Sequence, residues 1–225
     1  MALLSVDIVA LRLCQGRLQV MTVPCEPGSP AGRRALPAGR VAPETDHQLS
    51  QTMLRHLGRI DSTLPIWFEQ VETVGNDFRD SRGWSLTVVY LVLLGGGQAP
   101  DRPDALWLNI NSGESGKLCT ELDLAYDHAC LLETALERLC SKVQYSTLPL
   151  YLLPSSFTLS DIHKVFCCIL GKAPPLRSLR NRFVDSGVLE DTGHKRHGSN
   201  RPATLYTIKR QAEAHLFNRL YQTTL

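Results

Sequence analysis

The order of elements written into residues 158–208 constrains this chain more than any other feature. Thr158 stands where a helix N-cap is expected, with Asp161 three residues on to answer it. Ile162, Val165, Phe166 and Ile169 then fall on one helical stripe, and Gly171 is placed to end the helix. Pro174-Pro175 opens a second helix, Leu176 to Ser186, because proline is tolerated in a first helical turn. Its apolar positions are Leu176, Leu179, Phe183 and Val184, and Gly187 stops it. Val188-Leu189-Glu190 and Thr204 to Ile208 then flank Thr192 to Pro202, which predicts a β-hairpin with a basic, glycine-containing tip.

Helix, short turn, helix and basic hairpin is the order of a winged helix-turn-helix. The second helix is narrow enough to enter a major groove, and Arg177, Ser178, Arg180, Asn181 and Arg182 are read on its polar side. Arginine can donate twice to guanine and asparagine can pair with adenine. Lys195, Arg196, His197, Asn200 and Arg201 at the hairpin can meet phosphates or a minor groove. Charge points the same way. Residues 151–225 hold 11 Lys and Arg against five acids, a surplus of six, whereas the rest holds 13 against 17, a deficit of four. A basic back part behind an acidic front suggests double-stranded DNA as the partner of the back part alone. The competing reading is a helix pair that binds another protein and leaves a solvated basic face.

The front predicts a mixed domain. Ser5 to Leu13 and Leu18 to Val23, joined through Gln15-Gly16, read as a hairpin. A helix is expected from about Asp46 to Leu57, strands over Trp67–Val74, Trp84–Leu94 and Ala105–Ile110, and a helix over Asp127–Val143 striped by Ala129, Leu132, Leu136, Leu139 and Val143. A linker with two prolines, Leu148 to Pro154, suggests domains at 1–147 and 148–225, and Arg210 to Tyr221 reads as a final helix. No run reaches the roughly 18 apolar residues needed to span a bilayer. Asp7 sits where a signal peptide would be apolar, so a cytoplasmic protein is expected. The seven cysteines show no C-x-x-C pair and read as small buried hydrophobes in a reducing compartment.

Leu36-Pro37-Ala38-Gly39-Arg40-Val41 followed by a helix is similar to the start of a Nudix box. That motif gathers carboxylates on one helix face to hold magnesium, which polarises a pyrophosphate. Counted from Gly39, the Arg-Glu pair of the box falls on Met53-Leu54 and its Glu-Glu pair on Leu57-Gly58, and no acid lies between Gln48 and Ile60. No metal site and no hydrolase activity are therefore expected. Further segments are Phe78 to Trp84, Ala125-Tyr126-Asp127-His128, Ala135 to Leu139, Leu152-Leu153-Pro154, Ser186 to Gly193 and Gly198 to Tyr206. In this order, over nearly the full length, the chain resembles the NrtR family of Nudix-related transcriptional regulators of NAD metabolism.

The resemblance implies an α+β chain, a Nudix-like α/β/α sandwich domain followed by a winged helix-turn-helix domain. It implies a homodimeric repressor of NAD biosynthesis or salvage genes at a palindromic operator, with no cofactor, relieved by an NAD-derived nucleotide such as ADP-ribose. It places Arg79, Asp80 and Arg82 in a loop near the nucleotide pocket, with Arg40 and Gly83 beside them. Paired arginines suit a diphosphate through their forked donors. Ala38 stands where the family's motif has a second glycine. Asp127-His128 suggests catalysis at first sight, but a histidine packing at the start of the helix is the plainer reading. An active Nudix hydrolase with a DNA-binding appendage, and a regulator whose front domain senses a sugar or sugar phosphate, are the rival functions.

Overall fold

The structure is a computed structural model that describes residues 3–25, 33–79, 83–95, 99–112, 118–119, 122–197, 202–209 and 215–217. The chain divides into two compact units: residues 1–111 with 119–138, and residues 112–118 with 139–225.

The first unit is built on a mixed sheet. β1 (Leu3–Cys14) and β2 (Arg17–Pro24) form the expected hairpin, turned by Gln15 and Gly16 at φ 49° and 75°. β3 (Arg34–Ala35) pairs with β2, and β4 (Ala38–Arg40) pairs with β1. Helix α1 (Leu49–Leu57) follows, then β5 (Trp67–Asn76) and β6 (Ser85–Leu93). The strand order is β3-β2-β1-β6-β5, and β1 and β6 run parallel. Val6 to Arg12 of β1 are buried at every position rather than at alternate ones, as befits a central strand covered on both faces. β7 (Leu106–Asn109) extends the sheet on β2. The short strands β8 (Asn111–Ser112) and β9 (Leu118–Cys119) complete the set of β1 to β9.

Val6, Ile8, Met21, Met53, Leu57, Val88, Tyr90 and Val92 share one apolar core, which seats α1 on the sheet. That helix starts three residues later than expected. Asp46 instead closes a turn, accepting from the Ala42 amide at 3.0 Å and the Thr52 hydroxyl at 2.8 Å. β5 carries a bulge at Val71, and Arg138 donates to the Val71 carbonyl at 3.1 Å. Helix α2 (His128–Val143) buries Leu131, Leu132, Ala135, Leu136, Leu139 and Val143. The boundary between the units falls within it, after Arg138.

In the second unit, the expected proline-containing linker is a buried 3₁₀ turn, Leu148–Leu152. All five residues of that turn are buried, four of them aliphatic and the fifth Tyr151, so the segment packs rather than spanning solvent. Helix α3 (Leu159–Leu170) has the predicted capping box between Thr158 and Asp161, and Gly171 ends it at φ 73°. Helix α4 (Leu176–Phe183) is three residues shorter than predicted. β10 (Leu189–Arg196) and β11 (Ala203–Ile208) pair antiparallel, and Phe157 adds a bridge to Tyr206. Gly193, expected in the hairpin tip, sits instead at φ 74° in a break in the β10–β11 register. The described part of the expected final helix is no helix: Leu216 bridges Ser146, and the Phe217 amide donates to the Tyr145 carbonyl at 2.7 Å. Among the described residues no helix is long and apolar enough to cross a membrane, and none of the six described cysteine side chains forms a disulfide.

Candidate functional site

A cavity of about 550 Å³ opens in the first unit, walled by β1, the end of β2, residues 35–40 and the start of α2. Arg79 reaches it from the loop after β5. The Asn76 side chain accepts from the Phe78 and Arg79 amides at 3.1 and 2.8 Å, an Asx turn that aims Arg79 inward. Its guanidinium donates to Asp127 at 2.9 and 3.1 Å and to Asp7 at 3.0 Å. Burial works against that charge, but the two carboxylates outweigh it and hold the guanidinium above its ordinary pKa. Arg79 thus lines the cavity with Nε and Nη2 engaged by the protein's own acids.

His128, the first residue of α2, is 5% exposed. Its Nδ1 accepts from the Leu36 amide at 2.9 Å, which places the ring proton on Nε2, 3.4 Å from an Asp7 oxygen. Burial drives its pKa below the ordinary imidazole value, with Asp7 and Asp127 only partly countering. The ring packs at the start of α2 and also lines the cavity. Tyr126 is half exposed on the cavity, its ring 5.2 Å from that of His128. Its φ of 59° is a left-handed conformation that costs a non-glycine residue about 1–3 kcal/mol.

Arg40 also lines the cavity and is exposed; among the described residues its side chain meets no carboxylate. The Arg40 carbonyl accepts from Arg55 Nη2 at 3.0 Å and lies 3.1 Å from His56 Nε2. Gly39 is required beside it, because a Cβ there would stand 2.0 Å from the His56 ring. Ala38 shows no positive φ, so the departure from a second glycine carries no backbone strain. Gly83 has φ 129° and does not line the cavity, while Asp80 and Arg82 lie outside the described residues. The sequence reading missed Asp7, Arg102, Asp104 and Tyr126. Only Tyr126 had left a signal, beside Asp127-His128 in the resemblance.

In the second unit, Leu179 and Phe183 bury one side of α4, and Arg177, Arg180 and Asn181 are exposed on another. Arg180 Nε lies 4.0 Å from Asp185, and the Asn181 amide nitrogen sits 3.1 Å from Asp185 Oδ2 and the Arg177 carbonyl. Ser178 is half buried. Arg182 leaves the polar face on which it was expected. Three residues after Leu179 and one before Phe183, it lies at the edge of the buried stripe. It donates to the Gln144 carbonyl at 2.6 Å and stacks 4.7 Å over Phe217. Lys195, Arg196 and His197 are exposed along β10 and just after it, though Arg196 also donates to Asp161 at 2.7 Å. Burial raises the Asp161 carboxyl's pKa, but its bonds to Thr158 and the charge of Arg196 outweigh that and lower it. Asn200 and Arg201 lie outside the described residues.

Residues 149–208 match the model of the NrtR DNA-binding winged helix domain. Over 224 residues, 98% of this chain and 87% of the relative, the sequence is 32% identical to the ADPR responsive transcriptional repressor NtrR of Acinetobacter baylyi. The chain belongs to the NrtR family. Shewanella oneidensis NrtR complexed with a 27mer DNA is 34% identical and superposes with a TM-score of 0.80 over 92% of this chain and 93% of that one. The Nudix domain of the same NrtR complexed with ADP ribose is 35% identical, with a TM-score of 0.54 over 62% of this chain and 89% of that one. The mixed sheet of the first unit is thus the Nudix-like domain of an NrtR, and the capped helix pair with its hairpin is the winged helix.

Proposed function

We propose that this NrtR-family chain is a DNA-binding transcriptional repressor that ADP-ribose releases from its operator, and that it binds the nucleotide without hydrolysing it. The observation that carries the reading is the cavity beside Arg40, backed by a helix α1 without a single carboxylate. Its volume lies within the roughly 300–1,000 Å³ usual for cofactor-sized ligands. Tyr126 offers a base a ring to stack on, and Arg40 offers a pyrophosphate a charge. The DNA and ADP-ribose complexes of the Shewanella NrtR support the two halves of the reading. A hydrolase would need metal-held carboxylates aimed at the pyrophosphate, and α1 supplies none.

Arg177, Arg180 and Asn181 are the side chains we assign to base edges, with Lys195 and His197 on the backbone. A palindromic operator, controlling genes of NAD biosynthesis or salvage, would be met by two copies of the chain. Light scattering of the protein alone and on DNA tests that dimer. Duplexes selected from a random pool, retested by gel shift, provide the main experiment. ADP-ribose is expected to release them and to be recovered intact by chromatography. Release of AMP from ADP-ribose in magnesium would restore the hydrolase reading, and release by a pentose phosphate alone would move the effector to the sugar class.

A further inference from the structure

The Nudix fold implies a magnesium ion where a pyrophosphate is bound, and the described side chains do not fit one. The polar side chains of α1 are Ser50, Gln51, Thr52, Arg55 and His56. Asp46, just before the helix, spends its carboxylate on the Ala42 amide, the Thr52 hydroxyl and Arg55. The carboxylates on the cavity wall are matched in the same way: Asp7 by Arg79, and Asp104 by Arg102, whose Nη2 donates to it at 2.8 Å. The His56 ring is pressed on Gly39, and its Nε2 lies 3.2 Å from Arg55 Nη1 and 3.1 Å from the Arg40 carbonyl. Among the described residues no three His, Cys, Asp or Glu side chains converge as a metal site.

We infer that the cavity takes a nucleoside diphosphate compound without a divalent cation, with Arg40 supplying the neutralising charge that a metal supplies elsewhere in the fold. This rests on the reading that ADP-ribose is the ligand. Among the described residues the cavity wall carries three arginines, Arg40, Arg79 and Arg102, and two carboxylates, Asp7 and Asp104. Arg79 is matched by Asp7 and, from outside the wall, by Asp127, and Arg102 by Asp104, while the Arg40 side chain meets no carboxylate among the described residues. A strongly hydrated magnesium ion needs oxygen ligands, and each carboxylate here already faces a cation. A doubly charged anion, by contrast, gains a forked, charge-assisted partner at Arg40. Arg55 and His56 grip the Arg40 carbonyl from behind, so α1 positions the arginine by its backbone.

Calorimetric titration of the full chain with ADP-ribose, in EDTA and in millimolar magnesium, tests the inference. The same affinity is expected in both buffers. Arg40→Ala, an exposed side chain whose loss leaves its carbonyl bonds intact, is expected to weaken binding about 10- to 100-fold in both, with the melting temperature of the unliganded protein unchanged. Binding seen only with magnesium overturns the inference and leaves ADP-ribose as the ligand. Undiminished binding by the folded Arg40→Ala variant overturns the part given to Arg40. No binding in either buffer overturns the ligand reading, and this inference with it.

Discussion

Arg79 on the cavity wall is 7% exposed and shares its donors between Asp7 and Asp127, whereas Arg180 on helix α4 is 55% exposed and has Asp185 no nearer than 4.0 Å. Arg79 has Arg82 three residues on and Arg180 stands between Arg177 and Arg182, and the two are used oppositely. A buried guanidinium has lost its hydration and must be repaid by carboxylates in contact, so it fixes the shape of what surrounds it. An exposed one keeps its water and its reach, and a polyanion can claim it by displacing counterions. Having another arginine nearby in sequence does not distinguish ligand from scaffold; the partners do.

The largest test of that contrast is Arg79→Ala. It strands Asp7 and Asp127 without their cation and is expected to cost about 3–5 kcal/mol, read by chemical denaturation. Arg79→Lys keeps the charge but loses the fork and should fall between. Unchanged stability with lost ADP-ribose affinity would break the comparison, because Arg79 would then be a ligand after all. The same cluster sets a pH dependence. His128 has a folded pKa below its unfolded value, so its contribution is present above the ordinary imidazole value, roughly 6.5, and is lost as pH falls through the lower folded value. Stability is expected to fall as pH drops from about 6.5 toward that lower value, and His128→Gln should flatten the drop.

At the winged helix the expected signs reverse. Arg180→Ala should leave the melting temperature unchanged and weaken operator binding by about 1–3 kcal/mol, relaxing base preference at one position. Lys195→Ala should weaken binding to all duplexes alike and lower the slope of affinity against salt by about one. Arg182→Ala is the internal control. With its bond to Gln144 and its stack on Phe217, it should lose stability instead. A destabilised Arg180→Ala paired with a stable Arg182→Ala would show that the two faces of α4 have been exchanged.

What the sequence made legible was local. Thr158, Asp161 and Gly171 specify the start and end of α3 through bonds within one helix, and the hairpin of β1 and β2 follows from alternating apolar residues around Gln15-Gly16. The winged helix could be read because each of its elements carries its own punctuation. The cavity could not. Arg79 meets Asp127 48 residues away and Asp7 72 residues away, and no spacing rule links them. The Arg79 loop was recognisable through the family resemblance, and its internal pairing was not. Gly193 shows a second limit. A glycine between two strands fits a turn or a bulge equally well, and the register of β10 against β11 decides for the bulge. Arg182 is a third, since polarity alone put it on the outer face while Phe217, from a distant segment, drew it in.

Arg196 mixes the two uses and gives the smallest and sharpest test. It lies on β10 among exposed cations, yet it donates to Asp161, the acid that also caps α3. Its side chain is 48% exposed and that of Asp161 18%, so water screens the pair and its worth to stability is about 0.2–1 kcal/mol. A phosphate that reached Arg196 would have to compete with that carboxylate. Arg196→Ala is therefore expected to weaken duplex binding less than Lys195→Ala does, and to lower stability slightly where Lys195→Ala leaves it alone. Asp161→Asn should move the other way on DNA, releasing Arg196 and tightening non-specific binding, while it weakens the α3 cap. Equal losses from Arg196→Ala and Lys195→Ala across a salt series would mean that the duplex takes Arg196 from Asp161 at no cost. The line between cations matched inside the protein and cations kept for DNA would then run through Arg196 itself.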